Sequence, residues 1–230
     1  MEKLQDKRME DKTSNEEKIK RYVTLMCERR GYTHLEETRL DDDSWAIVGE
    51  NKPRKDGTPA PVDNTDHSKI MIIPAMDKAL AEQEGNPDGA YKLCIRAMKR
   101  AIGIFLKHEV GLGIILYNAG SKKSGITSSA KNVFSAANKA GEVKIQIFDT
   151  VRFGYDILSH RYQPKSFKIV KGKEEKEFKK KFPDPSLHRK MKVDDVIAEY
   201  YRYKVGMIIK VTRKCGTVSY LCVVPGGGKK

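Results

Sequence analysis

Cysteine is scarce in this sequence, and its spacing excludes the common structural uses of the residue. The four cysteines lie far apart and form no C-x-x-C pair: Cys27, Cys94, Cys215 and Cys222. Structural zinc sites need closely spaced ligand pairs, so we expect no metal site. Because no secretory signal is expected either, the thiols are expected to be reduced rather than joined in disulfides.

Long apolar runs are also missing. No stretch of the sequence approaches the roughly 20 apolar residues that a membrane-spanning helix needs, so we expect no membrane association. Residues 1–20 are charged and lack the apolar core of a secretory signal. Secretion is therefore not expected.

The familiar signatures of catalysis are absent or incomplete. The five histidines form neither an H-x-x-x-H nor an H-E-x-x-H pattern. The run Gly-Ser-Lys-Lys-Ser-Gly that begins at Gly120 lacks the first glycine of a phosphate-binding loop at the required spacing. Metal-dependent nucleases use two carboxylates and a lysine, and a similar series occurs here as Asp88, Glu142 and Lys144. The simpler interpretation is an aspartate in a turn and a Glu/Lys pair at the edge of a strand. We expect no catalytic residue, no cofactor and no small-molecule substrate; a nuclease is the least favoured alternative, and a Cys–His nucleophilic pair stays open.

Charge is abundant and unevenly placed along the chain. The net charge is +14, and 33% of the residues are charged. Residues 1–150 carry 25 Lys and Arg against 23 Asp and Glu, whereas residues 151–230 carry 20 against 8. A basic C-terminal part favours an acidic partner, either nucleic acid or an acidic protein surface. A lysine-rich solvated surface is the alternative.

Residues 14–150 alternate between helical and strand patterns. Ser14 and Glu17 form a capping box before a helix with apolar residues at helical spacing, which Gly31 ends. Thr127 can cap a later helix, and short apolar strands separate the helices. These patterns predict an α/β domain with a mixed sheet.

The remaining segments differ from this domain in composition and in predicted structure. Residues 1–13 are almost all polar and are expected to be a disordered N-terminus. Residues 50–68 hold three prolines and one glycine and few large apolar residues, and they are expected to be an exposed loop insertion. Residues 151–225 contain a charge run, a short helix that Asp195 can cap, and two closing strands. We predict a small α+β domain there, followed by a flexible tail at 226–230.

The C-terminal domain carries the most specific motif of the chain. It runs in three pieces: Asp195-Val-Ile-Ala198, Tyr200-Tyr-Arg-Tyr-Lys204 and Gly206-Met-Ile-Ile-Lys-Val-Thr-Arg213. The series resembles the C-terminal assembly domain of the fifth common subunit of eukaryotic DNA-directed RNA polymerases, a family with an archaeal counterpart. Upstream, His160 and Pro164 in Ser-His-Arg-Tyr-Gln-Pro match the T-E-H-x-L-V-P segment of that family.

The N-terminal half resembles the jaw domain of the same family. Residues 26–32, Met-Cys-Glu-Arg-Arg-Gly-Tyr, are similar to its L-x-x-R-G-Y helix end, and residues 125–131, Gly-Ile-Thr-Ser-Ser-Ala-Lys, to its G-x-T-P-S-A-K loop. Residues 70–74 fit its strand ending in F-F-P. Ser128 and Val196 replace family prolines, as does His188 or Arg189. These departures point to a divergent member, viral or from an early-branching eukaryote.

The resemblance implies a non-catalytic subunit of a multisubunit RNA polymerase that acts in transcription. Its C-terminal domain would dock on the largest subunit, among other subunits. Its jaw domain would lie near downstream double-stranded DNA and contact it weakly, without reading sequence. The implied location is the nucleus, with a viral cytoplasmic factory or the virion as the alternative. A stand-alone basic nucleic-acid-binding protein is the competing function.

Two groups of site residues follow from this assignment. The implied subunit interface consists of His160, Asp195, Tyr200, Lys204, Gly206, Lys210 and Arg213. The DNA-proximal group surrounds a predicted helix start, where backbone amides and lysines suit phosphate contact. It consists of Lys122, Lys123, Thr127, Ser129 and Lys131.

Overall fold

The computed structural model describes six stretches of the chain, and these divide into two compact units. The described residues are 15–41, 44–51, 69–75, 93–118, 125–184 and 187–226. One unit ends at Asp156 and the other begins at Ile157. The expectations for residues 1–13, for nearly all of the 50–68 insertion and for the end of the tail lie outside the described residues.

The N-terminal unit contains three described helices and five strands. The helices are α1 (Asn15–Arg29), α2 (Ile95–Lys107) and α3 (Ser128–Ala140). The strands are β1 (Thr33–Arg39), β2 (Trp45–Glu50), β3 (Lys69–Pro74), β4 (Leu112–Tyr117) and β5 (Lys144–Asp149). A 3-10 turn, Thr150–Phe153, follows β5.

These strands form one mixed sheet in the order β1-β2-β3-β4-β5. β1, β2 and β3 pair antiparallel, whereas β3, β4 and β5 pair parallel. Parallel neighbours need a crossover connection, and α3 lies in the connection between β4 and β5. The predicted α/β domain with a mixed sheet is confirmed.

One face of this sheet is covered by α2 and α3. Met98, Ala101 and Phe105 are the buried residues of α2, and they join a core with residues of β3, β4 and β5. A side chain at Gly113 would overlap the Phe105 ring, so the strand passes close beneath the helix. On α3, Ala130 is fully buried while Val133 packs partly against the same core.

Helix α1 contributes buried side chains and one ion-paired arginine to the N-terminal unit. Its buried residues are Val23, Met26 and Cys27, and burial raises the pKa of the Cys27 thiol to about 12. Arg29 donates two hydrogen bonds to Asp156, at 2.6 and 2.7 Å. This pair ties the helix end to the last residue of the unit.

The described residues of the C-terminal unit form a four-stranded sheet and two short helices. Its strands are β6 (Ser166–Ile169), β7 (Arg189–Lys192), β8 (Ile208–Thr212) and β9 (Val218–Val224), and its helices are α4 (Gly172–Lys181) and α5 (Val196–Tyr201). The order is β6-β8-β9-β7, antiparallel except for the β9–β7 pair. The predicted α+β character is confirmed. None of the described helices is long and apolar enough to cross a membrane.

The residues that follow β5 belong to the N-terminal unit as far as Asp156, and the predicted domain bounds at residue 150 stay a prediction. Phe153 is 2% exposed and its ring packs edge-on against Phe148 at 5.7 Å between centroids. Together with the Arg29–Asp156 ion pair, this contact holds the 3-10 turn to the N-terminal unit. The sequence pattern ends with β5, whereas the packing continues for a further turn.

Candidate functional site

One face of the sheet in the C-terminal unit carries a groove of about 590 Å³. All four strands contribute to it, together with α5, the segment before β6 and the turn between β8 and β9. The groove is lined by Arg161, Tyr162, Gln163, Pro164, Phe167, Arg189, Met191, Asp195, Ile197, Val211, Arg213, Lys214, Cys215, Ser219 and Leu221.

Strand alternation explains why the groove and helix α4 lie on opposite faces. Successive side chains of a strand point to opposite sides of a sheet. On β8, Val211 lines the groove, while Ile208 packs with Phe178 of α4. On β9, Leu221 lines the groove, while Tyr220 packs against the α4 side. The sheet therefore has a face covered by α4 and a face that carries the groove.

Cationic side chains dominate the rim of the groove. They are Arg161, Arg189, Arg213 and Lys214, against a single carboxylate, Asp195. The Arg161 guanidinium lies 4.5 Å from the centre of the Tyr162 ring. Lys214 Nζ donates to the carbonyl of Arg161 at 3.0 Å, which joins the β8–β9 turn to the segment before β6.

The two faces of the sheet differ in the ion pairing of their cations. On the α4 face, Lys210 Nζ lies 2.8 Å from Glu174 Oε1. The hydrogen bond between them raises the pKa of Lys210 and lowers the pKa of Glu174. On the groove face, none of the four rim cations forms an ion pair with any carboxylate in the described stretches. Carboxylates of the described residues therefore do not neutralise these four cations through ion pairs.

Asp195 caps a helix at the groove. Its Oδ1 accepts the Ile197 N–H at 2.8 Å, which caps helix α5. The predicted N-cap is thus present. The single acid of the rim is explained by helix capping, and it subtracts from the positive charge of the groove.

Cys215 lies in the turn beside the groove. Its thiol contacts Thr217 Oγ1 at 3.3 Å, and this hydrogen bond lowers the pKa of the thiol, with Arg213 adding a smaller effect. The side chain is exposed. An exposed thiol with a lowered pKa is the kind that reagents modify most readily.

The α4 face contains a cysteine–histidine pair. His188 Nδ1 lies 3.0 Å from Cys222 Sγ, and His188 Nε2 lies 3.0 Å from the carbonyl of Phe182. A carbonyl only accepts, so Nε2 donates to it, and neutral Nδ1 then accepts from the thiol. Burial raises the pKa of Cys222, which disfavours a reactive thiolate. The pair links the end of α4 to β9.

The implied interface residues do not share one surface. Asp195 and Arg213 line the groove, and exposed His160 accepts the Tyr162 N–H at 3.4 Å in the adjoining turn. Lys210, on the α4 face, is paired with Glu174.

Three further interface residues lie around the link between α5 and β8. Tyr200 is buried, with 4% exposure, which suits a role in the fold. Lys204 is exposed. Gly206 has φ of 91°, and its N–H donates to Val223. A left-handed backbone of this kind favours glycine, so this position shapes the turn.

The DNA-proximal group is only partly described. Lys122 and Lys123 lie outside the described residues. Thr127 caps α3 by accepting the Ala130 N–H at 3.3 Å, as predicted. Ser129 and Lys131 are exposed in the first turn of that helix.

The nuclease alternative gains no support from the described residues. Asp88 lies outside them. Lys144 Nζ donates to the carbonyl of Asn138 at 2.8 Å, and Glu142 is exposed beside it. No group of potential metal ligands is found in the described part of the chain.

Sequence reasoning missed most of the groove. Arg161, Tyr162, Arg189 and Lys214 come from three separate segments, and none of them was expected to be a site residue. Arg161 and Tyr162 lie inside the Ser-His-Arg-Tyr-Gln-Pro segment, but only His160 and Pro164 of that segment match the family pattern. Only the excess of positive charge after residue 150 gave a signal for them. Their convergence depends on the sheet order, which the sequence pattern did not predict.

Comparison with known families supports the C-terminal assignment. Residues 155–223 match the family described as RNA polymerase Rpb5, C-terminal domain. The match includes every residue that lines the groove, and it confirms the resemblance predicted for this domain. No curated protein matches the chain. The resemblance of the N-terminal unit to a jaw domain stays a prediction.

Proposed function

We propose that this chain, which carries an Rpb5-type C-terminal domain, is a non-catalytic subunit of a DNA-directed RNA polymerase and docks on the largest subunit through that domain. The match over residues 155–223 is the observation that carries the proposal. The Rpb5 family is a family of non-catalytic polymerase subunits. A role in assembly and transcription therefore fits this chain better than a reaction of its own.

The surface chemistry of the C-terminal unit supports docking. A groove lined by four cations and an apolar floor offers both charge and buried area to another protein. Interfaces commonly combine an apolar centre with a polar rim, and arginine is enriched in them. The α4 face, whose lysines include two paired with glutamates, is less suited to the same role.

The N-terminal unit is proposed to act as a jaw near downstream double-stranded DNA. Support comes from the exposed start of α3, where Ser129 and Lys131 lie in a first turn without acidic residues. Helix N-termini favour anions, and lysines add attraction for phosphate. Lys122 and Lys123 precede this start in the sequence. Contacts of this kind bind the DNA backbone weakly without reading bases.

We propose that the protein works in the nucleus, with a viral cytoplasmic factory or the virion as the alternative location. Other polymerase subunits are its expected neighbours, and no cofactor or small-molecule substrate is required. A stand-alone basic nucleic-acid-binding protein is the competing possibility, which the following experiment separates.

Purification of the tagged full-length chain from its native cells tests the proposed function. We expect the largest polymerase subunit to co-purify in a ratio near one to one and to remain bound after nuclease treatment. Nuclease treatment matters because a basic protein can associate with polymerase through shared nucleic acid. A preparation that contains nucleic acid but no polymerase subunit would favour the competing function.

A further inference from the structure

We propose that the groove of the C-terminal unit is a docking site for an acidic, extended protein segment with a central apolar side chain. The inference rests on the proposed function for the source of the segment, which would be another polymerase subunit. The character of the segment is argued from the groove alone.

The charge of the rim selects an acidic occupant. Arg161, Arg189, Arg213 and Lys214 come from separate parts of the unit and converge on one concavity. A concavity lined by charges of one sign concentrates the positive potential and attracts groups of the opposite sign. Arginine binds carboxylates through two parallel hydrogen bonds, so Asp and Glu side chains are well matched to this rim.

The floor of the groove selects an apolar anchor. Phe167, Val211 and Leu221 come from three adjacent strands and line its base, with Met191 and Ile197 beside them. Apolar surface in a concave site gains free energy when another apolar group removes it from water. An aliphatic or aromatic side chain flanked by acidic residues satisfies both the floor and the rim.

The same floor disfavours a nucleic-acid strand as the occupant. Phosphate groups could meet the rim, but they offer nothing apolar to the base of the groove. Tyr162 is 74% exposed, yet the Arg161 guanidinium lies over its ring at 4.5 Å. A base stacking on that tyrosine would compete with the arginine for one of its faces. The acidic protein segment is therefore the better match.

A binding measurement with the purified full-length protein tests the inference. The probe is a short fluorescein-labelled peptide of Asp and Glu residues with one central Leu-Phe pair. Fluorescence anisotropy at about 0.15 M salt, where screening limits long-range attraction, measures its affinity. A second peptide, with Ser-Ser in place of Leu-Phe, tests the floor. A single-stranded oligonucleotide of equal charge tests the nucleic-acid alternative.

The variants compare the two faces of the same domain. The double variant Arg189→Glu with Arg213→Glu is expected to weaken binding of the Leu-Phe peptide by about tenfold or more, since like charges then face each other. The control variant Lys176→Glu with Lys180→Glu makes the same change of net charge on exposed residues of α4. It is expected to weaken binding by less than about threefold, because exposed charges beyond a Debye length are screened.

The thiol of Cys215 gives an independent readout of occupancy. We expect the Leu-Phe peptide to slow maleimide modification of Cys215, measured by mass spectrometry of the digested protein, while leaving Cys94 unaffected. Equal weakening by both double variants would overturn the inference, because binding would then follow total charge alone. Tighter binding of the oligonucleotide, or equal affinity for the two peptides, would overturn it as well.

The test separates this inference from the proposed function. If the Arg189→Glu and Arg213→Glu protein still co-purifies with polymerase at the wild-type ratio and binds the peptide normally, the groove is not the docking site and the proposed function stands. If the groove binds the peptide as expected but no polymerase subunit co-purifies, the proposed function fails while the groove assignment holds.

Discussion

At the scale of single residues, Asn138 protects the open edge of the N-terminal sheet. Its Oδ1 accepts the Ile145 N–H at 2.9 Å, and its Nδ2 donates to the Ile145 carbonyl at 3.3 Å. Ile145 lies on β5, the last strand in the sheet order. One side chain thus satisfies both backbone groups that a further strand would otherwise use, which is how native sheets discourage edge pairing.

We expect Asn138→Ala to destabilise the N-terminal unit by about 1–2 kcal/mol, because it leaves two backbone groups without this partner. Trp45 is the one tryptophan of the chain and is buried in this unit, so its fluorescence during urea unfolding reports the effect. Asn132→Ala, at an exposed position of the same helix, is the control and should change stability little. Equal shifts for the two variants would show that the edge contact contributes nothing.

At the scale of elements, Asp195 couples the stability of α5 to the charge of the groove. We expect Asp195→Ala to lower the stability of helix α5 by about 1 kcal/mol, because the helix loses its cap. The same variant should bind the acidic Leu-Phe peptide more tightly, because a negative charge is removed from the groove. Asp195→Asn retains a capping oxygen but removes the charge, so it should bind the peptide more tightly without loosening the helix. Hydrogen exchange of residues 196–201 and peptide anisotropy measure the two effects.

The two variants would no longer share a gain in peptide affinity if the charge of Asp195 is irrelevant. In that case Asp195→Asn would leave peptide affinity unchanged, and Asp195→Ala would change it only through the loosened helix. A rise in affinity confined to Asp195→Ala would likewise contradict the expected electrostatic effect.

The elements that sequence reasoning predicted are those with a local signal. Thr127 and Asp195 were recognised as caps, because a capping side chain acts on its own helix within a few residues. Strand β1, with the sequence Thr-His-Leu-Glu-Glu-Thr-Arg, was missed because most of its side chains are exposed and it carries no apolar alternation. The sequence of helix α4 indicates only a charge run, because Phe178 is the one buried residue of the helix. Both elements depend on pairing or packing with distant residues.

In the candidate site, too, the residues with a local sequence signal could be predicted and those brought together by the fold could not. Asp195 and Arg213 could be named from the motif, because both belong to one continuous sequence. Arg161 and Arg189 could not, since they meet across a sheet whose order places β7 beside β9 and β6 beside β8. Sequence spacing carries no information on that arrangement. Lys210, assigned to the interface by the same motif, is ion-paired on the other face because β8 alternates its side chains.

At the scale of the whole molecule, the charge difference between the two parts of the chain predicts different responses to salt. Residues 151–230 carry 20 Lys and Arg against 8 Asp and Glu, whereas residues 1–150 are nearly balanced. A large net charge destabilises a compact state through self-repulsion. Raising the ionic strength from about 0.01 M to about 0.15 M shortens the Debye length from about 30 Å to about 8 Å, which screens that repulsion.

We therefore expect salt to slow hydrogen exchange in β8 and β9 while leaving the Trp45 unfolding transition nearly unchanged. The two readouts come from one sample, so the nearly neutral unit is an internal control for general effects of salt. The Lys210–Glu174 ion pair opposes the trend only weakly, because exposed pairs contribute little. A chloride and a fluoride salt should act alike if screening is the cause. Faster exchange in β8 and β9 at higher salt would mean that attractive pairs, rather than repulsion among the cations of the groove, control the stability of this sheet.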